Sequence, residues 1–287
     1  MTGERNSAPL LRVEDLRVKF PGHGGETHAV RGVNFELGRE KLGLVGESGS
    51  GKSTVARALL RLVPRPGIVS AGRLEFAGND LMALPESAMR ELRGRRIAMI
   101  LQDPRFSLNP VMTVGRQIAE TWLAHFQGLA GEAQKRTLAM LGSVGFRDPD
   151  RAAQAYPHEL SGGEGQRAMI AMMLIAEPEV LIADEPTSAL DVTVRNQVLA
   201  VLDDLVKRRG MGLLFISHDL GLVASFCDRI IVMYAGRILE TVKASGIASA
   251  RHPYTRGLLN AEPRIEDART ELAVVPRDPA WLQEPAP

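Results

Sequence analysis

The spacing of apolar residues predicts an α/β fold in which several strands precede a helical region. Apolar side chains occupy nearly every second position over residues 11–20 and again over residues 29–37, a pattern typical of half-buried strands. Short apolar segments predict further strands, each bounded by glycine, proline or charged residues. These cover residues 41–45, 71–77, 96–101, 180–183 and 212–217, and a hairpin of residues 230–234 and 237–240.

A helical periodicity replaces the strand pattern in the middle of the chain. Pro110, Gly128 and Pro149-Asp150 are predicted breaks between these helices. We therefore expect a helical subdomain, at about residues 104–176, inserted into an α/β core. The predicted helices cover residues 53–62, 85–95, 113–126, 131–144, 163–176 and 192–208.

Composition narrows the class of protein. The 287 residues carry 35 basic and 34 acidic side chains, and this balance gives no reason to expect nucleic acid as a partner. Cys227 is the only cysteine, which excludes an internal disulfide and a four-thiolate metal site. No signal peptide is visible, and the longest apolar run, residues 168–176, is far shorter than the ~20 residues of a spanning helix. We expect a soluble, cytosolic protein whose membrane role comes through a partner.

One short loop carries the clearest chemical signal. It matches the phosphate-binding pattern G-x-x-x-x-G-K-[ST] and stands between a predicted strand and a predicted helix. Its glycines let backbone N–H groups approach a polyphosphate, and the helix start attracts anions. Lys52 adds a positive charge for the terminal phosphates, and the Ser53 hydroxyl can bind Mg²⁺. The loop consists of Gly46, Glu47, Ser48, Gly49, Ser50, Gly51, Lys52, Ser53 and Thr54.

Three predicted strands end in polar side chains. Asp184 and Glu185 follow one of them, which suits the first carboxylate to holding Mg²⁺ through water and the second to orienting an attacking water. Gln102 and His218 follow two others, and the carboxyl ends of parallel strands lie on the ligand side of a sheet. Gln102 is equally compatible with a simple strand cap. A lone histidine is usually structural, although this position suits contact with a terminal phosphate.

Two further features each have two interpretations. Ser161 is suited to be the N-cap of the helix at 163–176, Glu164 completes a capping box, and the intervening glycines leave room for an anion. An ordinary Ser-Gly-Gly turn explains that stretch equally well. Phe20, at the end of the first strand, is compatible with stacking on a nucleotide base and with packing at the edge of the core.

Together these motifs resemble those of ABC ATPases, in the same order and over roughly residues 10–262. They are residues 46–54, Gln102, Leu160-Ser161-Gly162-Gly163-Glu164, Asp184-Glu185, Ser188-Ala189-Leu190-Asp191 and His218. The chain further resembles the ATPases of dipeptide, oligopeptide and nickel importers over residues 102–110, 156–160 and 252–259. The resemblance implies a P-loop NTPase core, the ABC nucleotide-binding domain, with an antiparallel β layer and an inserted α-helical subdomain.

The resemblance also implies a role for each motif residue. Phe20 corresponds to the aromatic that stacks on adenine, Glu185 to the catalytic base and His218 to the switch histidine. Gln102 corresponds to the residue that reads the γ-phosphate and couples to the membrane subunits. The implied cofactors are ATP and Mg²⁺, with the metal held by Ser53, Gln102 and Asp184. The residues implied to contact the ATP held by a partner are Ser161, Gly162, Gly163 and Glu164, and Asp191 is also placed among the nucleotide-binding residues.

Two departures from the family pattern matter. The signature continues Glu164-Gly165-Gln166, where relatives usually carry Gln or Met and then Arg, so we expect function with altered coupling. Many oligopeptide relatives also hold an iron–sulfur cluster on C-terminal cysteines, whereas residues 263–287 contain no cysteine. We expect this Pro-rich tail to be disordered and the purified protein to be free of iron.

The expected function is ATP hydrolysis that powers an importer of peptides or a related small solute, including nickel or a metal chelate. The implied partners are a paralogous ATPase in a head-to-tail hetero- or homodimer, two membrane permease subunits and an extracytoplasmic solute-binding protein. The implied location is peripheral, at the cytoplasmic face of the inner membrane. Two alternatives are a soluble ABC ATPase of DNA repair or translation, which the neutral charge weakens, and a non-hydrolysing ATP sensor, which could dispense with Glu185 and His218.

Overall fold

The computed structural model describes residues 8–22, 25–102, 107–188, 190–261 and 278–282. They form two compact units. The first combines the chain up to Leu84 with the chain from Leu214 onward, and the second is Pro85–Leu213. The second boundary falls within a single strand, β9 (Gly212–Ser217).

An antiparallel sheet in the first unit arises from the alternating segments at the start of the chain. Strand β1 (Leu11–Gly22) pairs with β2 (Gly25–Leu37), β4 (Ile68–Ser70) and β5 (Arg73–Phe76), and β6 (Asn79–Asp80) pairs with β5. Buried and exposed residues alternate along the start of β1, as expected for a strand with one face in the core. The predicted antiparallel layer is therefore confirmed, whereas no pattern in the sequence predicted β4 or β6.

A second group of strands in this unit carries the phosphate loop. Strand β3 (Lys41–Val45) lies parallel to β10 (Arg229–Tyr234), which forms an antiparallel hairpin with β11 (Arg237–Lys243). The last four residues of β3 are all buried, which agrees with a continuous apolar run in a parallel pair. The unit also contains α1 (Lys52–Leu59), α8 (Leu220–Phe226), α9 (Pro253–Ala261) and 3₁₀ turns at Ala244–Ser249 and Pro279–Leu282.

Part of the C-terminal tail differs from the expected disorder. The turn Pro279–Leu282 buries Trp281, whose ring centroid lies 5.2 Å from that of His252 and 5.9 Å from that of Tyr254. A ring of this size gains enough from burial and edge-on aromatic contacts to fix a short turn in a Pro-rich segment. Residues 263–277 and 283–287 of the predicted tail lie outside the described residues.

The second unit is mainly helical and includes the described residues of the region at about 104–176, whose assignment as an inserted subdomain stays a prediction. Strands β7 (Ile97–Ile100) and β8 (Val180–Asp184) lie parallel. Residues 168–172 of the apolar run are buried in a core helix. The helices are α2 (Glu86–Leu92), α3 (Val114–His125), α4 (Ala130–Ser143), α5 (Pro149–Gln154), α6 (Gly162–Leu174) and α7 (Val192–Arg209), with a 3₁₀ turn at Pro157–Glu159.

The predicted break at Pro149-Asp150 is wrong, because helix α5 begins at Pro149. Proline is tolerated in the first turn of a helix, where its missing N–H would have no partner within the helix. Asp148 caps this helix, since its Oδ1 accepts a hydrogen bond of 3.0 Å from the Arg151 N–H. Across the described part of the chain, no helix combines the length and the apolar character needed to cross a bilayer.

Candidate functional site

The phosphate loop curls tightly between β3 and α1. Gly51 has φ of 101°, in the left-handed region that favours glycine. An added Cβ at Gly46 would collide with the carbonyl oxygen of Met233, and one at Gly51 would collide with that of Ala29. Both positions therefore require glycine, because strand β10 and the start of β2 approach the loop backbone directly.

Lys52 is the first residue of α1, and its side chain lies across the loop. Its Nζ donates to the carbonyl oxygens of Gly46 at 2.7 Å and Glu47 at 2.8 Å, and to the Ser50 hydroxyl at 3.4 Å. Only 5% of Lys52 is exposed. The loop thus holds a positive charge within its curl at the start of a helix, where a bound polyphosphate would be neutralised.

The backbone of the loop also forms hydrogen bonds with two elements that are distant in sequence. The Glu47 N–H donates to the Tyr254 hydroxyl of α9 at 3.1 Å, and the Gly236 N–H of the β10–β11 turn donates to the Ser50 carbonyl at 2.9 Å. Tyr254 is completely buried. Sequence reasoning missed its role, because its only signal was its place in the stretch 252–259.

His218 and Phe20 belong to the same unit as the loop. His218 is exposed and directly follows β9, and Asp219 caps α8 by accepting from the Leu222 N–H at 2.8 Å. Phe20 is half-buried, and its ring lies 2.7 Å from the position of a Cβ added at Gly67. Phe20 therefore packs against the turn that contains Gly67, at the edge of the core. Its stacking on adenine stays a prediction.

In the second unit, the parallel pairing of β7 and β8 brings three predicted residues to one edge. Ile100 pairs with Ala183, so Gln102 after β7 lies near the end of β8, where Asp184 is the last strand residue and Glu185 follows it. The Gln102 Nε2 donates to Glu185 Oε2 at 3.3 Å, and Asp184 is only 6% exposed. A buried carboxylate beside a hydrogen-bonded one is an arrangement suited to a cation and to an attacking water.

Glu185 has an unusual backbone conformation. Its φ is 47°, in the left-handed region that side chains other than glycine rarely adopt. Its carbonyl oxygen accepts from the Ser188 N–H at 3.3 Å and from the Ser188 hydroxyl at 3.2 Å. The turn after β8 thus fixes the direction in which this carboxylate leaves the strand.

The predicted capping box at the start of α6 is confirmed. The Ser161 N–H donates to Glu164 Oε2 at 3.0 Å and the Ser161 hydroxyl donates to the same oxygen at 2.8 Å, while the Glu164 N–H donates to the Ser161 hydroxyl at 3.4 Å. The Ser161 N–H and then its hydroxyl lower the pKa of Glu164, and the charges of Arg167 and Arg151 act in the same direction. Glu164 is therefore ionised at neutral pH.

The glycines of this stretch have a packing role. A Cβ added at Gly163 would collide with Cγ1 of Val194, so α6 and α7 approach each other at this point. Asp191, predicted as a nucleotide-binding residue, is the N-cap of α7, because its Oδ1 accepts from the Val194 N–H at 3.0 Å. Residues 103–106 and Ala189 of the motifs lie outside the described residues.

Comparison with known proteins shows a family for this chain. Residues 30–188 match the ABC transporter family. The chain is 47% identical over 280 residues to the oligopeptide transport ATP-binding protein OppD of Bacillus subtilis (strain 168), covering 96% of this chain and 78% of that protein. It is 50% identical over 280 residues to the probable peptide ABC transporter ATP-binding protein y4tR of Sinorhizobium fredii (strain NBRC 101917 / NGR234), covering 96% and 84%.

A solved structure has the same fold. The ATP-binding cassette MJ0796, in a dimeric post-hydrolysis state bound to ADP and Pi, is similar with a TM-score of 0.73 and 25% identity. The similarity covers 82% of this chain and 99% of that chain. The predicted fold class thus agrees with that of a solved ATP-binding cassette.

Proposed function

Since the chain belongs to the ABC transporter family as an ATP-binding subunit, we propose that it hydrolyses ATP to power the import of peptides. The observation that carries this proposal is the complete phosphate loop with Lys52 held in its curl, in a chain about half identical to peptide-transport ATP-binding proteins. Among the described residues, no geometry favours an ATPase of DNA repair or translation, or a sensor without turnover.

In the proposed chemistry, the phosphate loop binds the phosphates of ATP, and polar residues at the strand ends act on the attacking water and the γ-phosphate. Lys52 and the N–H groups of the loop bind the β- and γ-phosphates, and His218 contacts the γ-phosphate. Glu185 orients the attacking water and accepts its proton, while Gln102, hydrogen-bonded to Glu185, reports the presence of the γ-phosphate. Phe20 stacks on the adenine.

We propose that three of these residues would each offer an oxygen ligand to a magnesium ion. The Ser53 hydroxyl, the Asp184 carboxylate and the Gln102 amide oxygen are hard oxygen ligands of the kind that Mg²⁺ prefers. When bound with ATP, the ion supplies charge neutralisation at the phosphates. Asp184 supports this role because it is buried yet carries a carboxylate at a strand end.

We further propose that two ATPases work head to tail and that Ser161, Gly162, Gly163 and Glu164 serve the ATP held by the partner. Asp191 is proposed as a further nucleotide-binding residue. The partner is a paralogous or identical chain. Two permease subunits hold the pair at the cytoplasmic face of the inner membrane, and a solute-binding protein outside delivers the substrate. The similar cassette MJ0796 is dimeric with ADP and Pi bound, which supports a pair of ATPases.

Reconstitution tests the proposed function. The chain is purified with its partner ATPase and permeases, placed in proteoliposomes and supplied with binding protein, and ATP-dependent uptake of a labelled peptide is measured. Peptide uptake should require MgATP and should stop in Glu185→Gln. Uptake of a nickel chelate with no uptake of peptides would overturn the peptide substrate, and hydrolysis without any coupled uptake would overturn the transport role.

A further inference from the structure

The C-terminal turn Pro279–Leu282 inserts Trp281 into an aromatic cluster. The cluster consists of Trp281, Tyr234, Tyr254 and His252, and only 7% of Trp281 is exposed. Trp281 meets Tyr234 edge-on at a centroid distance of 5.7 Å, and Tyr234 and Tyr254 lie 4.8 Å apart. Edge-on and tilted contacts at these distances are favourable and fix the mutual orientation of the rings.

Two members of this cluster also reach the phosphate loop. The Tyr254 hydroxyl accepts the Glu47 N–H at 3.1 Å. Tyr234 and Ala235 line a cavity of about 220 Å³ together with loop residues 47–50. The cluster thus lies between the C-terminal turn and the loop, within one unit of the protein.

Helix α9, which carries Tyr254, is anchored at its start. The N–H groups of Arg251 and His252 donate to the two carboxylate oxygens of Glu240 at 2.7 and 3.2 Å, and the Tyr254 N–H donates to His252 Nδ1 at 3.1 Å. These bonds fix the backbone of Tyr254, so the position of its hydroxyl depends on the side-chain orientation. The rings of Tyr234 and Trp281 both contact the Tyr254 ring and constrain that orientation.

We infer that Trp281 is a positioning residue for the phosphate loop and acts through Tyr254. Trp281 orients the Tyr254 ring, and the Tyr254 hydroxyl holds the Glu47 N–H and with it the entry of the loop. Trp281 does not touch the nucleotide. Binding of MgATP then depends on a turn near the C-terminus, more than 200 residues away in sequence from the loop that it orders. The inference rests on the proposed function only in taking the loop as the ATP site.

The experiment compares Trp281→Ala, Trp281→Phe and Tyr254→Phe in the full chain. MgATP affinity is measured by calorimetry, and amide hydrogen exchange is followed at residues 47–50 without nucleotide. Trp281→Ala should weaken MgATP binding by about three- to tenfold, the effect of roughly one hydrogen bond, and should speed exchange of the Glu47 amide. Tyr254→Phe should match it, Trp281→Phe should restore much of the affinity, and Trp281→Ala/Tyr254→Phe should lose no more than either change alone.

Trp122→Ala is the matched control, because Trp122 is a buried tryptophan of the second unit that stacks on Phe126. Its removal should leave exchange at Glu47 unchanged. The inference is overturned if Trp281→Ala lowers only the melting temperature while affinity and exchange stay at wild-type values, or if Trp122→Ala changes both equally. If the loop is not the ATP site, the signature is different, because the wild-type chain would then not bind MgATP whatever the exchange at Glu47. If only the transport role fails, MgATP binding and its dependence on Trp281 persist.

Discussion

Lys52 is the residue whose removal has the most direct expected effect. Its ammonium is buried within the loop and hydrogen-bonds to the carbonyl oxygens of Gly46 and Glu47. Lys52→Ala should therefore abolish tight MgATP binding, measured by calorimetry or nucleotide fluorescence. Lys19→Ala, which removes an exposed lysine paired with Glu26, should bind MgATP as the wild type does. Unchanged affinity in Lys52→Ala would contradict the assignment of the phosphate loop.

Glu185 separates binding from chemistry. Glu185→Gln keeps the shape of the side chain and removes its negative charge, so nucleotide binding should persist while the proton of the attacking water loses its acceptor. Hydrolysis in the reconstituted complex should fall by about 10²–10⁴, and a closed ATP-bound dimer should accumulate. Glu132→Gln, on the exposed face of α4, is the control. Turnover near the wild-type rate would show that Glu185 is not the base.

Cys227 gives a prediction that depends on pH. Burial raises the pKa of its thiol to about 12, with Lys41 opposing the shift and Asp228 adding to it. Because the folded pKa is raised, the neutral thiol stabilises the fold fully below the unfolded pKa of about 8.5, and this contribution declines as pH rises toward 12. Alkylation of native protein by iodoacetamide at about pH 8 should be negligible, and rapid after unfolding in urea. Fast labelling of folded protein would show that the thiol is accessible.

The residues of the site differ in how far sequence reveals them. The phosphate loop and the polar strand ends are local patterns. In each of them, the type of side chain and its place after a predicted strand together indicate the chemistry. Tyr254 and Trp281 could not be found this way, because the hydrogen bond from Glu47 to Tyr254 joins residues 207 positions apart. Only the folded chain shows which aromatic side chains meet the loop.

At the scale of elements, the contact of α6 with α7 yields a compensation test. A Cβ at Gly163 would collide with Val194, so Gly163→Ala should destabilise the protein by about 1–3 kcal/mol in urea unfolding. Removing two methyl groups in Val194→Ala should restore much of that loss in the double variant. Gly131→Ala is the control, because a Cβ there meets open space within a helix and should be neutral or stabilising. If Gly163→Ala and the double variant lose the same free energy of unfolding, the loss does not come from a steric clash with Val194.

Elements with several turns or full alternation are predictable, and so are the short elements α2, β5 and β7, whereas α5, α8 and β4 are not. The sequence predicts a break where helix α5 begins because proline commonly ends a helix, although Asp148 before Pro149 is a good N-cap. Helix α8 has seven residues, too few for a clear helical period. Strand β4 has three residues and is fixed by its pairing with β1, which no local pattern encodes.

At the scale of the whole molecule, Ser161 tests the head-to-tail dimer. Ser161→Arg should leave ATP on the chain's own phosphate loop nearly intact and should disable the site of the partner ATPase. In a reconstituted complex, photo-reactive ATP would label the two ATPases separately. Ser143→Arg, at an exposed serine of α4, should label like the wild type. Loss of label from the mutated chain itself would contradict the arrangement.

The left-handed backbone of Glu185 also constrains how this protein can change under selection. A non-glycine residue in that conformation costs about 1–3 kcal/mol, and glycine would remove the cost. A population of variants screened only for heat resistance would therefore drift toward glycine here and would lose the carboxylate. A screen for growth on the imported substrate would instead select for the glutamate, because hydrolysis needs its carboxylate. Selection for thermostability and selection for turnover therefore favour different residues at position 185.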